Sequence, residues 1–360
     1  MIEGDINEVS TDAILSAAGL QAGQADVLIG GPPCQPFSKA GYWASGDSRR
    51  LLDPRASTLG AYLRVLRESR PRAFLIENVE GLGFKGKDEG LRLILSTLAD
   101  INREHGTRYS AEVAVLNAAD FGVPQLRRRL FIVGSRDGTP FRFPSPTHAE
   151  DGASGLPPHA TAWDALHDLP EAPNEDLRLK GKWADLLPAI PEGQNYLWHT
   201  ERGGGLPLFG WRTRFWCFLL KLAKDRPAWT IQAQPGPATG PFHWGNRRLS
   251  VRELSRLQTF PDDVTVQGSI AAAHKQLGNA VPSLLAEVLA RGILTQLLGS
   301  PSSAGPWLAI QPSPSPPPPA PKPAQVPRRY LALKGDHAAH PGTGLGPAAR
   351  ARSSDGRLAL

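Results

Sequence analysis

Four short segments carry side chains that could act together on an electron-poor ring. The first is the turn Gly31-Pro32-Pro33-Cys34, which follows the apolar run Asp26–Ile29. An apolar run of this length is typical of a short buried strand, and the residue after such a strand lies at the sheet edge where α/β folds bind ligands. Cys34 is one of two cysteines in the chain. We therefore expect its thiol to be an attacking group.

The other three segments would support that attack. They are Glu77-Asn78-Val79 after the apolar run Ala73–Ile76, Gln125-Leu126-Arg127-Arg128-Arg129 before another apolar run, and Gly278-Asn279-Ala280-Val281-Pro282. Strand alternation places Arg127 and Arg129 on one face. A thiolate can add to C6 of a cytosine while a protonated carboxyl relieves charge at N3 and an arginine does so at O2. The adduct is then nucleophilic at C5, where a methyl sulfonium donor would complete a transfer.

Composition narrows the class of protein. The chain has 360 residues, a formal net charge of +6 and 41% hydrophobic residues, which fits one large or two medium domains with a polyanionic partner. Two cysteines cannot form a four-thiolate zinc site, and we assign no metal. The start has no signal-peptide pattern and no apolar run reaches about 18 residues, so we expect a cytoplasmic protein with no membrane contact.

The chain divides into four parts. Residues 1–135 alternate strands and helices, which favours a doubly wound, mostly parallel sheet. Residues 136–245 are rich in Pro and Gly and hold seven of the nine tryptophans, which indicates a small, irregular, substrate-facing domain. Residues 246–299 regain helical patterning and return to the first domain. Residues 300–360 are Pro-rich and are predicted to form a disordered tail.

Local patterns predict the elements that position these segments. We expect strands at Asp26–Ile29, Ala73–Ile76 and Arg129–Val133, and helices at Leu59–Ser69, Leu91–Leu98, Val251–Leu257 and Ser283–Leu298. Ser250 is expected to cap the helix that starts at Val251, because Glu253 completes a capping box. Cys217 is predicted to be buried apolar filler.

In order and spacing, these segments resemble the C5-cytosine DNA methyltransferase family from residue 3 to about 298. Further matches are Glu3-Gly4-Asp5-Ile6, Thr230-Ile231, and Arg248 to Leu254 with Leu257 to Pro261. The resemblance implies a Rossmann-like methyltransferase domain that uses S-adenosylmethionine, with a target-recognition domain at 136–245. It further implies a DNA (cytosine-5-)-methyltransferase of bacterial restriction–modification type, which acts on double-stranded DNA by flipping out a cytosine.

The family's residue roles carry over by position. Cys34 would be the nucleophile, Glu77 would act at N3, and Arg129 would contact the flipped base with support from Arg127. The implied contacts to S-adenosylmethionine are Asp5, Ile6, Pro32, Leu59, Asn279 and Val281. The expected DNA contacts are Gln35, Ser38, Gln125, Arg247, Arg248 and Thr230.

The chain departs from the family pattern at its start. The family's Phe-x-Gly-x-Gly turn and a following acidic residue, which hold the methionine and ribose parts of the cofactor, do not precede Asp5. The resemblance therefore implies a domain without its first strand–helix units and with an open apolar strand edge. A wrong start site, a gene fragment and a split enzyme completed by an N-terminal chain all remain open. The alternative function is a fragment that binds DNA without transferring methyl; a cognate restriction endonuclease is a further candidate partner.

Overall fold

The computed structural model describes residues 2–33, 57–83, 88–150, 152, 155–170, 175–211, 215–301 and 305–335. The predicted nucleophile Cys34 and the predicted DNA contacts Gln35 and Ser38 lie outside these residues.

A four-stranded sheet forms the centre of the described structure. Its strands are β1 (Val27–Gly30), β2 (Ala73–Val79), β3 (Ser110–Asn117) and β4 (Arg128–Ser135), in the spatial order β1-β2-β4-β3. β1 pairs with β2 in parallel, whereas β4 pairs antiparallel with both β2 and β3. Three of the four strands thus run in one direction and β4 is reversed. The prediction of a mostly parallel α/β sheet is confirmed for the strand directions. Because β4 lies between β2 and β3, two of the three pairings are nevertheless antiparallel.

Alternating side chains give the sheet two buried faces. Phe74, Ile76, Leu130 and Ile132 point to one face, which α2 (Ser57–Ser69) and α3 (Glu89–His105) cover. Ala73, Leu75, Phe131 and Val133 point to the other, against α7 (Ser283–Gln296). The remaining α-helices are α1 (Thr11–Ala17), α4 (Ala162–Leu166), α5 (Val251–Leu257) and α6 (Ile270–Asn279). Helices on both faces of a twisted sheet make this a doubly wound α/β domain.

Short 3₁₀ helices and a small ladder complete the described elements. The 3₁₀ helices span Glu80–Gly83, Ala118–Phe121, Ala184–Ala189, Tyr196–His199 and Arg328–Leu333. Gln125–Leu126 pairs in parallel with Ala228–Trp229 and joins the irregular region to the entrance of β4.

The sequence predicted seven of the described elements, namely β1, β2, β4, α2, α3, α5 and α7. Helix α5 has the predicted bounds, and the other six elements have shifted ends. The capping box of Ser250 and Glu253 is present at the start of α5. The sequence did not predict strand β3, because its residues lack a clear apolar alternation. It is an edge strand of the described sheet, and its Val113 and Val115 side chains are 39% and 38% exposed. Gly278, the first residue of the last predicted segment, is buried in the final turn of α6.

One stretch among the described residues, Ile270–Gln296, has the length and apolar composition of a membrane span. Pro282 divides it into α6 and α7, and Leu284, Leu289 and Ile293 are buried in the core. We therefore interpret it as two core helices.

The prediction of a disordered tail is corrected for residues 305–335. The backbone N–H of Ser313 donates to Asp164 Oδ1 at 2.7 Å, and that of Ala324 donates to the Pro188 carbonyl at 2.9 Å. Tyr330 is 3% exposed and its ring stacks on Trp183 at 5.6 Å. The Pro-rich composition predicts disorder because such a segment buries few side chains. Here a few side chains, above all Tyr330, nevertheless bind the segment to the irregular region at 136–245. Residues 336–360 lie outside the described structure.

We expect Tyr330→Ala to destabilise the protein by about 3 kcal/mol, the usual cost of removing a large buried aromatic side chain. Urea denaturation measures this change. The control is Leu331→Ala, because Leu331 is 45% exposed and its loss is expected to cost less than about 0.5 kcal/mol. Equal stability of the two variants would show that the tail does not contribute to the fold.

Candidate active site

The end of β1 is fixed by a close approach between Gly30 and Tyr62. A Cβ atom on Gly30 would lie 2.5 Å from the Tyr62 ring, so a side chain larger than hydrogen is excluded there. The Tyr62 hydroxyl is 3.1 Å from the Leu28 carbonyl and 3.2 Å from the Leu75 carbonyl, so it can donate to either. This contact sets the direction in which the chain leaves β1 towards Cys34.

The two prolines before Cys34 are held by neighbouring elements. The Asn78 side chain donates to the Pro32 carbonyl at 3.3 Å, and the Thr58 hydroxyl donates to the Pro33 carbonyl at 3.3 Å. Asn78 lies on β2 and Thr58 on α2. The residues that lead to Cys34 are therefore attached to the central sheet on one side and to its covering helix on the other.

Glu77 and Arg129 form an ion pair beside this turn. Arg129 Nε lies 3.0 Å from Glu77 Oε1, and the two side chains are only 18% and 13% exposed. Glu77 is opposite Phe131 in the β2–β4 register and Arg129 is opposite Val79, so the pair is a diagonal neighbour pair on one face. A Cβ on Gly31 would lie 3.2 Å from Glu77 Oε2, which places the turn against the carboxyl group.

Burial raises the pKa of the Glu77 carboxyl above its ordinary value, while the charges of Arg129 and Arg127 and the hydrogen bond from Arg129 act in the opposite direction. Desolvation is the largest of these effects. A carboxyl group in this environment keeps a proton to a higher pH than an exposed glutamate does. It is thus suited to donating a proton or hydrogen bond to a ring nitrogen.

Arg127 connects the sheet to two distant segments. Its side chain is 1% exposed, and its Nη2 and Nη1 atoms donate to the carbonyls of Gly278 at 3.0 Å and Ile231 at 3.4 Å. Its backbone N–H donates to Asn117 Oδ1 at 3.1 Å. Burial lowers the pKa of Arg127, and the charge of Arg129 lowers it further. The buried location makes Arg127 a positioning residue rather than a group that touches substrate.

Gln125, predicted to contact DNA, is instead fully buried. Its Nε2 lies 3.2 Å from the Leu257 carbonyl and 3.1 Å from Gln258 Oε1, and its Oε1 accepts from the Ile231 N–H at 3.1 Å. With internal partners for both ends of its amide, Gln125 connects the segment before β4 to the end of α5 and to the irregular region at 136–245. The prediction was wrong because a polar residue type alone does not reveal internal partners.

Thr230 and Arg247 also have internal partners, but both are only half-buried, so their assignment as DNA contacts stays a prediction. The Thr230 hydroxyl donates to the Leu126 carbonyl at 2.7 Å. Both Arg247 Nη atoms donate to the Glu253 carboxylate, at 2.8 and 2.7 Å, in a bidentate pair that stabilises the start of α5. Arg248, the next residue, lines a cleft of about 670 Å³ beside α6, and its predicted DNA contact also stays a prediction.

Asp5 and Ile6, two of the predicted cofactor contacts, lie beside an apolar hollow. Asp5 is exposed, and its Oδ1 accepts from the backbone and side-chain N–H groups of Asn7 at 2.9 Å each. The Ile6 carbonyl accepts from Arg64 Nη2 at 2.8 Å, which attaches this segment to α2. The hollow has a volume of about 420 Å³ and is lined by Ile2, Gly4, Ile6, Val9, Ile14, Ala17 and Ala18. A carboxylate next to an apolar hollow fits a nucleoside.

The other predicted cofactor contacts differ in exposure. Leu59 is 1% exposed inside the core under α2, so its assignment as a cofactor contact is corrected. Pro32 is buried next to Asn78, Val281 packs against the core under α7, and Asn279 is exposed at the end of α6. Asn279 thus remains available to a ligand, whereas Leu59 packs in the core between α2 and the central sheet.

Sequence reasoning missed the groups that hold the turn in place. Tyr62 and Thr58 lie on α2, far along the chain from the residues they bind. Their neighbours on the helix carry ordinary apolar periodicity, which gives no signal for a hydrogen bond to a distant carbonyl. Only the packing of α2 against β1 and β2 reveals these contacts.

The raised pKa of Glu77 predicts a pH-dependent stability. As the pH rises above 4.5, the ordinary pKa of a glutamate, the unfolded chain releases the Glu77 proton before the folded chain does. The free energy of unfolding therefore falls as the pH rises towards the pKa of Glu77 in the folded protein. Glu77→Gln removes this slope, which can reach at most about 1.4 kcal/mol per pH unit. Urea denaturation at several pH values should show wild type losing stability relative to E77Q with increasing pH.

The matched control for this measurement is Glu80→Gln, since Glu80 pairs with the exposed Arg128 and the substitution leaves Glu77 in place. It is expected to follow the wild-type pH profile. A stability difference between wild type and E77Q that is constant with pH would contradict the assignment.

Comparisons with known proteins identify the family of this chain. The family model for C-5 cytosine-specific DNA methylase matches residues 1–295. The chain is 43% identical to the Type II methyltransferase M.SacI of Streptomyces achromogenes, over 82% of this chain and 78% of that protein. It is 33% identical to the Type II methyltransferase M.NgoFVII of Neisseria gonorrhoeae, over 82% of this chain and 74% of that protein.

Solved structures support the fold. A protein described as a DNA modification methyltransferase encoded within a prophage of E. coli matches with a TM-score of 0.55 at 19% identity, over 83% of this chain and 86% of that one. The Entamoeba histolytica methyltransferase EhMeth matches with a TM-score of 0.52 at 15% identity, over 82% and 83%. The family model spans most of the length of this chain, whose central sheet carries the buried Glu77–Arg129 pair. This chain therefore belongs to the C-5 cytosine-specific DNA methylase family.

Proposed function

We propose that this protein transfers a methyl group from S-adenosylmethionine to C5 of a cytosine in duplex DNA, as the methyltransferase of a restriction–modification system. The observation that carries the proposal is the Glu77–Arg129 pair at 3.0 Å, placed against Gly31 of the turn that leads to Cys34. An acid with a raised pKa and a guanidinium on one sheet face can together bind the polar edge of a single base.

In the proposed reaction, the Cys34 thiolate forms a bond to C6 of the cytosine, and the electron pair of the C5–C6 double bond moves into the ring. Glu77 donates its proton to N3, and Arg129 binds O2, so both reduce the developing negative charge. Bound S-adenosylmethionine would supply the methyl group that C5 accepts, and its sulfonium sulfur would leave as a neutral thioether. The C5 proton is then lost to solvent, the C5–C6 double bond forms again as the bond to Cys34 breaks, and the N3 proton returns to Glu77, which restores the aromatic ring.

A cytosine in a duplex must leave the base stack before Cys34 can reach it. Extrusion costs a few kcal/mol, and contacts to phosphates and to neighbouring bases offset that cost. We assign these contacts to the target-recognition region at 136–245 and the segment that follows it. Two contacts would hold this region at a fixed position relative to Glu77 and Arg129. They are the pairing of Gln125–Leu126 with Ala228–Trp229 and the hydrogen bond from the buried Arg127 side chain to the Ile231 carbonyl.

Asp5 and the neighbouring apolar hollow would hold the nucleoside end of the donor, with Asn279 as a further polar contact. Arg64 attaches the Asp5–Ile6 segment to α2, and Thr58 attaches the turn before Cys34 to the same helix. Helix α2 would therefore fix the distance between donor and nucleophile.

Cys34→Ala is expected to abolish methyl transfer while leaving DNA affinity within about threefold of wild type, because the thiol is needed for the covalent step and not for phosphate contacts. Transfer of tritiated methyl to mixed-sequence duplex DNA and fluorescence anisotropy measure the two properties. The control is Cys217→Ser: Cys217 accepts a hydrogen bond from Gln232 at 3.1 Å, and burial raises its pKa, so it should be dispensable. Full activity of C34A would exclude Cys34 as the nucleophile.

The second candidate function is a DNA-binding fragment that needs a complementing N-terminal chain to bind the donor. The observation that favours it is the free side of β1, which among the described strands pairs only with β2. Ile29 is 67% exposed there, above a groove of about 580 Å³ lined by apolar side chains from β1 and α7 together with Trp307. An added strand would cover this apolar surface.

Calorimetry with S-adenosylmethionine separates the two candidates. We expect the 360-residue chain to bind the donor with a micromolar dissociation constant if it is a complete enzyme. Salt-sensitive DNA binding without any heat of donor binding would instead establish the fragment.

A further inference from the structure

Thr259 has a backbone conformation that its residue type rarely adopts. It lies two residues after the end of α5, and its φ of 55° is in the left-handed region. A β-branched residue is strained there, because its branched side chain crowds the backbone. Backbone strain of this kind persists where the surroundings hold it and is concentrated at functional sites. Thr259 is only 5% exposed, so its buried contacts hold it in the strained conformation.

The Thr259 hydroxyl caps the start of α7. It accepts a hydrogen bond from the backbone N–H of Leu284 at 2.8 Å and donates to the Gln258 carbonyl at 2.7 Å. The same carbonyl accepts from the N–H of Ser283 at 3.0 Å. The first N–H groups of a helix have no partner within the helix, and Pro282 supplies no side-chain cap. The chain after α5 therefore provides the cap that the residue before α7 lacks.

Gln258 attaches the other end of the same junction. Its side chain is fully buried, and its Nε2 donates to the carbonyl of Leu277 in the last turn of α6. Two adjacent residues after α5 thus hold both the end of α6 and the start of α7. The short segment 279–282 between these contacts is fixed at both of its ends.

Asn279 lies on this segment and is exposed. In the proposed function it is a polar contact of S-adenosylmethionine. The position of its amide depends on the backbone that Gln258 and Thr259 hold. A binding group that is already in place loses less conformational freedom when its ligand arrives, which increases affinity.

We propose that Thr259 is a positioning residue for the methyl donor: its hydroxyl fixes the junction between α6 and α7, so that Asn279 is in place before S-adenosylmethionine binds. The inference rests on the proposed function, since Thr259 acts through one of the donor contacts assigned there. Glycine would adopt a φ of 55° without strain but has no hydroxyl. The threonine provides this hydroxyl in spite of the strain.

Isothermal titration calorimetry of the full chain with S-adenosylmethionine tests the proposal. Thr259→Val keeps the shape of the side chain and removes the hydroxyl, so it should raise the dissociation constant about tenfold, on the order of one lost hydrogen bond. Thr259→Gly relieves the strain but also lacks the hydroxyl, and it should weaken binding as much. Thr259→Ser retains the hydroxyl and should bind within about twofold of wild type.

Wild-type affinity in T259G would overturn the role of the hydroxyl. If T259V does not fold, the comparison of T259G with T259S decides the question.

The matched control is Thr200→Val in the irregular region at 136–245. Thr200 is 1% exposed, and its hydroxyl donates to the Leu197 carbonyl at 2.8 Å and accepts from the Arg202 N–H at 3.3 Å. This substitution removes an equally buried hydroxyl outside the junction. It should lower stability in urea about as much as T259V does and leave donor affinity unchanged. An equal loss of donor affinity in both variants would show a general effect of destabilisation and overturn the proposal.

A double-mutant cycle shows whether Thr259 acts through Asn279. Thr259→Val should weaken donor binding much less in Asn279→Ala protein than in wild type, because the group that it positions is already absent. Additive losses would contradict the proposal.

Methyl transfer by the wild type distinguishes this inference from the proposed function. An active enzyme whose donor affinity is the same in all Thr259 variants would overturn the inference alone. A chain whose donor affinity depends on the Thr259 hydroxyl but which never transfers methyl would support the inference and overturn the proposed function. A chain that binds no donor would overturn both.

Discussion

The buried ion pair between Glu77 and Arg129 is the interaction on which the candidate site depends. A carboxyl and a guanidinium that are each less than a fifth exposed must satisfy one another, because neither is fully solvated. The antiparallel register of β2 and β4 makes this possible, since it brings two residues far apart in the chain onto adjacent positions of one sheet face. The same burial that makes the pair costly raises the pKa of Glu77, which is the property that the proposed chemistry requires of this acid.

Arg127 extends this arrangement beyond the sheet. Its guanidinium reaches the carbonyls of Ile231 and Gly278, so one side chain joins the entrance of β4, the irregular region at 136–245 and the end of α6. The full burial of Gln125 two residues earlier adds bonds to Leu257 and Gln258. The Gln-x-Arg-x-Arg segment therefore connects three parts of the structure, and only its last residue, Arg129, pairs with Glu77. In the proposed function, small changes in these connections would alter the position of DNA relative to Glu77 and Arg129.

The C-terminal segment contributes to the same rigidity from outside the family match, which ends at residue 295. Glu287 on α7 accepts from the backbone N–H groups of Trp307 and Leu308 at 2.8 and 3.0 Å. Tyr330 then packs between the side chains of the irregular region. A chain that crosses from α7 to this region limits how far the two can separate.

The sequence alone identified the segments to which we assign the chemistry and the order of the elements around them. Apolar runs before Gly31, before Glu77 and after Arg129 predict strands, because a buried strand needs a continuous apolar stretch, and the family resemblance follows from the order of these segments. The tertiary structure decided which polar groups are exposed. Gln125, Thr230 and Arg247 donate to internal acceptors, whereas no such acceptor for the Arg248 side chain is found among the described residues. For Gln125 and Thr230 the partners lie 104 to 133 residues away, so the contacts leave no local pattern. It also decided the reversed direction of β4, which sets the Glu77–Arg129 contact, because strand direction follows from the connections and not from side-chain alternation.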